Sequence, residues 1–387
     1  MAKRVGMEVA IAAAEAVGMC NIDVAAVYPI TPQSHIAEHL SEIVADGRID
    51  AEYITVESEH SAMSVCIGAS ATGARAYTAT CSQGLMLMHE LLPIVSAMRL
   101  PIVMSVANRP VNAPLNILSD HSDIMPQRDS GWIVIFSENG QEVIDLTLQA
   151  YRIAEDKDVM LPVIICIDGF ILTHMVEPVE FPEQKEVNKF LPDRVPYATL
   201  HPDKPLTMGA FAMSDYFPQM MKAKDEALVN SKKTILKVWD EWEKQFGRRY
   251  RPVETYKAKG AEVLLLIMGS MGETAEPAID ELRDKGVAAG LIKIRLWRPF
   301  PFDELRKAVK GVRVLAVMDR AVSFGDSGGP VFADVKSALY SEDNRPLTVN
   351  YIMGLGGRDV SVEDFVNMAE GAVKAKKEGY EFYGVGD

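Results

Sequence analysis

Short runs of β-branched and aliphatic residues alternate, along the first half of the chain, with longer amphipathic or small-residue stretches. The apolar runs predict strands at Val24–Tyr28, Glu52–Val56, Ala76–Thr80, Pro101–Ala107, Trp132–Phe136 and Leu161–Ile167. The stretches between them predict helices over 6–18, 34–45, 59–73, 84–97 and 141–155. Strands alternating with helices imply a mainly parallel sheet covered on both faces. Residues 181–255 break this rhythm. The run "EPVEFPEQKEVNKFLPD" is rich in proline and charge and predicts an exposed connector. Leu228, Ile235, Trp239, Trp242 and Phe246 then recur at helical spacing, which predicts one amphipathic helix packing the connector onto a domain. From 257 onward the alternation restarts. "AEVLLLIMG" reads as a buried strand and "ETAEPAIDELRDKG" as a helix stopped by Gly286, followed by strands near 288–294, 312–318 and 347–353 and helices over 302–309, 329–340 and 361–376. The expected organisation is two doubly wound α/β domains, 1–255 and 256–387.

Composition narrows the function classes. A chain of 387 residues with 48% apolar content has material for two cores. Its net charge of −14 argues against non-specific binding to nucleic acid or to an anionic membrane, both of which need a basic surface. No apolar run is long enough to span a bilayer. The Ala-rich opening carries Glu8 and Glu15 and reads as a helix rather than a signal sequence, so a cytoplasmic chain is expected. Cys20, Cys66, Cys81 and Cys166 are scattered without Cys-x-x-Cys spacing. They fit neither a structural zinc site nor an iron–sulfur cluster.

Five segments carry candidate chemistry. "GSMGETA" follows a strand and opens a helix, where backbone N–H groups can hold a phosphate, but it lacks the full Gly-x-Gly-x-x-Gly spacing and reads as helix–strand packing. "HIAEH" sets His35 and His39 four residues apart, as in inverted zincins, though a polar helix face explains the same pattern. "YPITPQS" lies at the carboxyl end of the first predicted strand, where open α/β sheets bind ligands. Two prolines bracket Thr31 and stiffen that loop, while Ser34 can cap the next helix. "ESEHSAMS" places Glu57 and Glu59 at a helix start, and the small residues that follow predict tight packing there. A carboxylate buried at such a point needs a partner or a proton, and a heterocyclic cofactor nitrogen would serve. Arg109 follows the apolar run "LPIVMSVA", where an arginine suits a small carboxylate, unless Asp120, Asp123 or Glu59 pairs with it.

Taken together these segments resemble the α subunit of the 2-oxoacid:ferredoxin oxidoreductase family, of which pyruvate:ferredoxin oxidoreductase is the type. The matching pieces are "YPITPQS", "ESEHSAMS", "GASATGARAYTATCSQGLMLMHE", "LPIVMSVANRP", "SDHSDIMPQRDSGW" and "DGFILTH", then "RPFPFDELRKA", "VMDRAVSFGDSGGP" and "IMGLGGRDVS". The resemblance runs nearly end to end. It implies a pyrimidine-type thiamine diphosphate-binding domain followed by a transketolase C-terminal-type domain. It implies that Glu59 meets N1′ of the aminopyrimidine, that Thr31 and Arg109 hold the oxoacid, and that Pro29 lines the cofactor. The implied reaction is oxidative decarboxylation of a 2-oxoacid, pyruvate first, with coenzyme A taking the acyl group and ferredoxin the electrons. The chain has no Gly-Asp-Gly followed downstream by Asn, and "FGDSG" is not that motif. The diphosphate and Mg²⁺ are therefore expected on a β subunit and the [4Fe–4S] clusters on a ferredoxin-like δ subunit, with a γ subunit beside them, in an oxygen-sensitive complex.

One departure weakens the substrate assignment. Leu118 stands where pyruvate-specific relatives carry an aromatic residue, which leaves room for 2-oxoisovalerate or phenylglyoxylate. Two further readings stay open: a transketolase-like or 2-oxoacid dehydrogenase half-subunit without iron–sulfur partners, and a non-catalytic scaffold.

Overall fold

A computed structural model describes residues 3–386. The chain runs β1 (Lys3–Glu8), α1 (Val9–Met19), β2 (Val24–Ala26), α2 (Ser34–Ala45), β3 (Glu52–Ile54), α3 (Glu59–Ala71), β4 (Ala76–Thr80), α4 (Ser82–Met88), α5 (Leu92–Ala97), β5 (Val103–Asn108), β6 (Ile133–Phe136), α6 (Gly140–Ala154), β7 (Val163–Asp168), β8 (Val176–Phe181), α7 (Gln184–Phe190) and α8 (Phe217–Phe246). It continues with β9 (Val253–Tyr256), β10 (Val263–Ile267), α9 (Met271–Asp284), β11 (Ala289–Ile294), β12 (Leu296–Arg298), α10 (Phe302–Ala308), β13 (Val314–Asp319), α11 (Pro330–Leu339), β14 (Leu347–Ile352), α12 (Val362–Lys374) and β15 (Gly379–Phe382).

The first sheet has the order β12-β6-β7-β5-β4-β2-β3, parallel except for β12. Every residue of β4, β5, β6 and β7 is buried, which explains their continuous apolar runs: helices cover both faces. The second sheet has the order β15-β14-β13-β10-β11-β9, parallel except for β9. The two sheets interlock in sequence, since β9 already belongs to the second and β12 returns to the first.

The strand and helix rhythm agrees with the residue pattern, with three corrections. The predicted helix over 6–18 starts at Val9, and residues 3–8 form β1 instead, antiparallel to β8. That same pairing organises the stretch expected to be an exposed connector. Val179 of β8 is buried in the core, and Val187 and Phe190 of α7 pack into it as well. Pro178, which cannot donate to a ladder, is tolerated because the ribbon has only two strands. The predicted helix over 84–97 is two helices, because Pro93 lacks the N–H that a continuous helix would need and sits in the first turn of α5.

Helix α8, 30 residues long, ends at Gly247 with φ 77°, a left-handed cap that costs glycine little. Its buried face carries Ser231, Ile235, Val238, Trp239 and Trp242, and Trp242 packs edge-on to Phe190. Tyr250 Oη and Trp242 Nε1 donate to Asp145 of α6, and Arg248 pairs with the same carboxylate. The second half of α8 thus fastens the connector to the first domain. Its first half leaves Phe217, Met220 and Val229 exposed. Among the described residues no helix is long and apolar enough to cross a membrane.

Candidate active site

In the first sheet the chain leaves β2 toward β3 on one side and later returns to β4 on the other. The crevice beyond the carboxyl ends of β2 and β4 is therefore a topological switch point, where open α/β sheets take ligands. The loop after β2 holds Pro29 and Thr31, both exposed, while the turn after β4 holds Ser82, Gln83 and Gly84. Arg109 follows β5, and Glu59 opens α3 just after β3. Pro29, Thr31, Glu59 and Arg109 thus lie along this one sheet edge.

Arg109 is 5% exposed. Its Nη1 donates to the Thr31 carbonyl at 2.6 Å and its Nη2 to Gln83 Oε1 at 2.6 Å, while Nε has no partner among the described residues. The alternative of an ion pair with Asp120, Asp123 or Glu59 is not what the guanidinium adopts. Asp123 takes instead the backbone N–H groups of Arg109 (3.0 Å) and Ser82 (2.9 Å) and the side-chain amide of Asn108 (2.9 Å). Burial pushes the Asp123 carboxyl up to about 7 against the pull of those donors. The contrast with the other buried arginines is informative. Arg75 pairs with Glu155, Arg295 with Glu142 and Arg320 with Asp168, whereas Arg109 meets only neutral oxygens. A buried charge without a counter-charge is costly unless an anion arrives to complete it.

Glu59 is 6% exposed and sits in the first turn of α3, whose cap is Ser58 accepting from Ser61 N. Its carboxylate receives no hydrogen bond from the described residues. Gly84 explains how it is accommodated: a Cβ there would lie 2.5 Å from Glu59 Oε1 and collide with Thr80 Oγ1. Thr80 Oγ1 is itself buried without a partner among the described residues. A partnerless buried carboxylate beside a glycine-only surface fits a cofactor ring nitrogen that carries or accepts a proton there.

Ser82 adopts φ 47°, a left-handed conformation unusual for a residue other than glycine. It is held by Asp123 on its N–H, and its hydroxyl donates to the Pro110 carbonyl. The neighbouring Gln83 turns Oε1 to Arg109, and its Nε2 is left buried without a partner among the described residues. The sequence reading missed Ser82, Gln83 and Asp123 as site builders. "SQGL" carried the first two, but nothing in it signals a left-handed serine.

Two other motifs resolve differently. At "GSMGETA", Ser270 N and Oγ both donate to Asp168 Oδ2, at 2.8 and 2.6 Å. The start of α9 is thus filled by a carboxylate from the first domain. Asp168 also takes His121 Nε2 at 2.8 Å and pairs with Arg320 at 2.8 Å. Burial alone would raise this carboxyl, but Arg320 and His121 overcome it and hold it far below the usual range. In "HIAEH", His35 faces Glu8 (2.5 Å) and His39 faces Glu15 (2.7 Å), so the two rings do not converge on one ion. Leu118 is 41% exposed on the 111–118 loop and packs against Gly357 of the second domain, where a Cβ would lie 2.4 Å from the Leu118 Cβ. Asn116 fixes the same contact by donating to the Gly356 carbonyl at 2.9 Å.

Comparison with known proteins shows the family. Residues 15–240 match the thiamine diphosphate-binding family model of pyruvate flavodoxin/ferredoxin oxidoreductases, and residues 261–365 match pyruvate:ferredoxin oxidoreductase core domain II. The chain is 48% identical over 368 residues to pyruvate synthase subunit PorA of Methanocaldococcus jannaschii, covering 94% of each chain. It is 44% identical over 374 residues to ketoisovalerate oxidoreductase subunit VorA of Pyrococcus horikoshii, covering 95% of this chain and 93% of that one. A 2-oxoglutarate:ferredoxin oxidoreductase from Magnetococcus marinus shares the fold, with TM-score 0.71 and 18% identity over 96% of this chain, which spans 65% of that longer chain. A split-gene transketolase shares it with TM-score 0.57 and 12% identity, over 96% of this chain and 100% of that one. The chain belongs to the pyruvate flavodoxin/ferredoxin oxidoreductase family, as an α-type subunit of a thiamine diphosphate-dependent 2-oxoacid oxidoreductase.

Proposed function

We propose that the chain supplies the aminopyrimidine and substrate-carboxylate half of an active site that oxidatively decarboxylates pyruvate. The overall reaction is pyruvate plus coenzyme A plus two oxidised ferredoxins, giving acetyl-CoA, CO₂, two reduced ferredoxins and a proton. Thiamine diphosphate, when bound, supplies the electron sink for loss of CO₂. Glu59 would hold the proton at N1′ of the aminopyrimidine, with Pro29 lining the ring. Arg109 and Thr31 would fix the oxoacid, Arg109 through its carboxylate, so that the keto carbon is presented in one orientation. The observation that carries this reading is the pair of uncompensated buried charges, Glu59 and Arg109, on either side of the Gln83–Gly84 turn.

The diphosphate with its Mg²⁺ would come from a β subunit, and the [4Fe–4S] clusters from a ferredoxin-like δ subunit, with a γ subunit completing the complex. In support, the four cysteines are buried and unpaired in scattered positions. The domains are assigned as 1–255 for the pyrimidine side and 256–387 for the transketolase-like side. A second substrate reading, a bulkier oxoacid such as 2-oxoisovalerate, draws support from the aliphatic Leu118 at the domain junction and from the relative named for ketoisovalerate.

The test is a panel of 2-oxoacids assayed on the assembled complex with a one-electron dye acceptor and coenzyme A. Pyruvate is expected to give the highest kcat/KM. A higher value for 2-oxoisovalerate would favour the second reading, and no coenzyme A-dependent reduction with any 2-oxoacid would overturn the function.

A further inference from the structure

Outside the site just described, one group of side chains has the composition of a ligand set. Glu8, His35 and His174 each offer a donor atom, and these atoms all lie within 4.8 Å of one another. They come from three separate elements: the end of β1, the first turn of α2, and the "DGFILTH" turn after β7. Nothing in the decarboxylation chemistry uses them.

The frame behind the three side chains is rigid. Val9 N donates to the Met175 carbonyl at 3.0 Å and Ala10 N to the Thr173 carbonyl at 2.9 Å, so His174 is held by backbone on both sides, while Glu8 pairs with Val176 in the β1–β8 ribbon. His35 follows Gln33, whose buried amide donates to the carbonyls of Tyr28 and Ala79. Glu8 Oε1 lies 2.5 Å from His35 Nδ1, and the two imidazole rings have centroids 4.8 Å apart. Phe170 stacks on His174 at 4.4 Å and limits its rotation. Thr173 Oγ1 lies 2.8 Å from His174 Nδ1, the kind of outer partner that fixes a ligating imidazole and leaves Nε2 free.

We propose that Glu8, His35 and His174 form a binding site for a divalent transition-metal ion of the zinc class. Ligand atoms around tetrahedral zinc stand about 3.4 Å apart, so the Glu8–His35 contact would open by about 1 Å and the widest separation would close by a similar amount. These are rotamer adjustments available to partly exposed side chains, the imidazole side chain of His35 being 44% exposed. Water completes the fourth position on that open side. The ion would brace the start of α2, four residues beyond Thr31, against the N-terminal strand. His39 of the same "HIAEH" run lies outside the set because Glu15 holds it.

The test is equilibrium dialysis of the full-length chain against Zn²⁺ with total-metal analysis, using His35→Ala, His174→Ala and His39→Ala, and circular dichroism to verify folding. One ion per chain is expected, held more than about tenfold more weakly in His35→Ala and His174→Ala and unchanged in His39→Ala. Because His35 is partly exposed, its variant keeps the test decisive even where His174→Ala fails to fold. Absence of saturable uptake, or unchanged affinity in His35→Ala, would overturn the site. Zinc-edge absorption gives an independent reading: an all-nitrogen-and-oxygen shell with imidazole scattering is expected, and sulfur in the shell would move the ion to a cysteine and overturn the proposal.

Discussion

Each of the two sheets has a switch-point crevice, and the two are filled in opposite ways. In the second domain the crevice between the ends of β10 and β13 is plugged by Asp168 from the first domain, which satisfies Ser270 and Arg320 at once and also takes His121. In the first domain the crevice between β2 and β4 is flanked by Glu59 and Arg109, each buried and each without a counter-charge. The same topology thus serves as a joint in one place and as a receptacle in the other. A buried charge with its opposite charge in place holds the fold together, and one surrounded by neutral oxygens leaves a demand that a ligand can meet.

Substitutions at the two crevices should therefore separate activity from stability. The largest effect is expected from Glu59→Gln, which keeps volume and removes the charge. Turnover of the assembled complex should fall by about 10²–10⁴-fold, the range for losing a positioned acid–base group, with assembly by size-exclusion chromatography unchanged. Normal turnover would remove Glu59 from the chemistry.

Asp168→Ala should show the reverse. It leaves Arg320 buried and unpaired, and a loss of about 3–5 kcal/mol is expected from denaturant unfolding of the full chain. A loss under about 1 kcal/mol would mean that the joint carries little of the domain contact.

Arg109→Ala should raise KM for the oxoacid by about 10- to 100-fold, the equivalent of one charge-assisted contact of about 1.5–3 kcal/mol. Its stability cost should be small, because the Thr31 carbonyl keeps the Cys81 thiol as donor. An unchanged KM would end the carboxylate role.

The acid limb of stability gives a finer test. The Asp168 carboxyl titrates lower in the folded chain than in the unfolded one, so its contribution is present above the ordinary Asp range and is lost as pH falls through the folded value. Wild type should lose on the order of 2 kcal/mol more than Asp168→Asn on acidification from pH 5 to pH 2, followed by denaturant midpoints. Equal losses would contradict the pairing. Gln83→Leu should have the smallest effect, a rise in KM of about three- to tenfold with little change in kcat, since it only loosens Arg109.

Much of this was legible in the residue pattern. Continuous apolar runs such as "PVIICI" carry their own signal of a strand buried on both faces, and the 34–45 helix falls where its periodicity placed it. Thr31, Glu59 and Arg109 stood out because each follows a strand. What the pattern could not carry was long-range pairing. β1 reads as helix because its Lys-Arg-Val-Gly-Met-Glu run has no strong preference, and only β8, far along the chain, makes it a strand. Asp168 looks like an ordinary strand-end acid until the second domain brings Ser270 and Arg320 to it. Ser82 has a left-handed backbone because Asp123 holds its N–H, a constraint no local sequence expresses.

The most direct test of the divided site is thiamine diphosphate binding, measured by equilibrium dialysis on the full chain alone, on the complete complex, and on the complex carrying Glu59→Gln. The expected result is stable retention only in the complete complex, with weakened retention in the variant. Full-affinity binding by the chain alone, or equal retention with and without the Glu59 carboxylate, would contradict it.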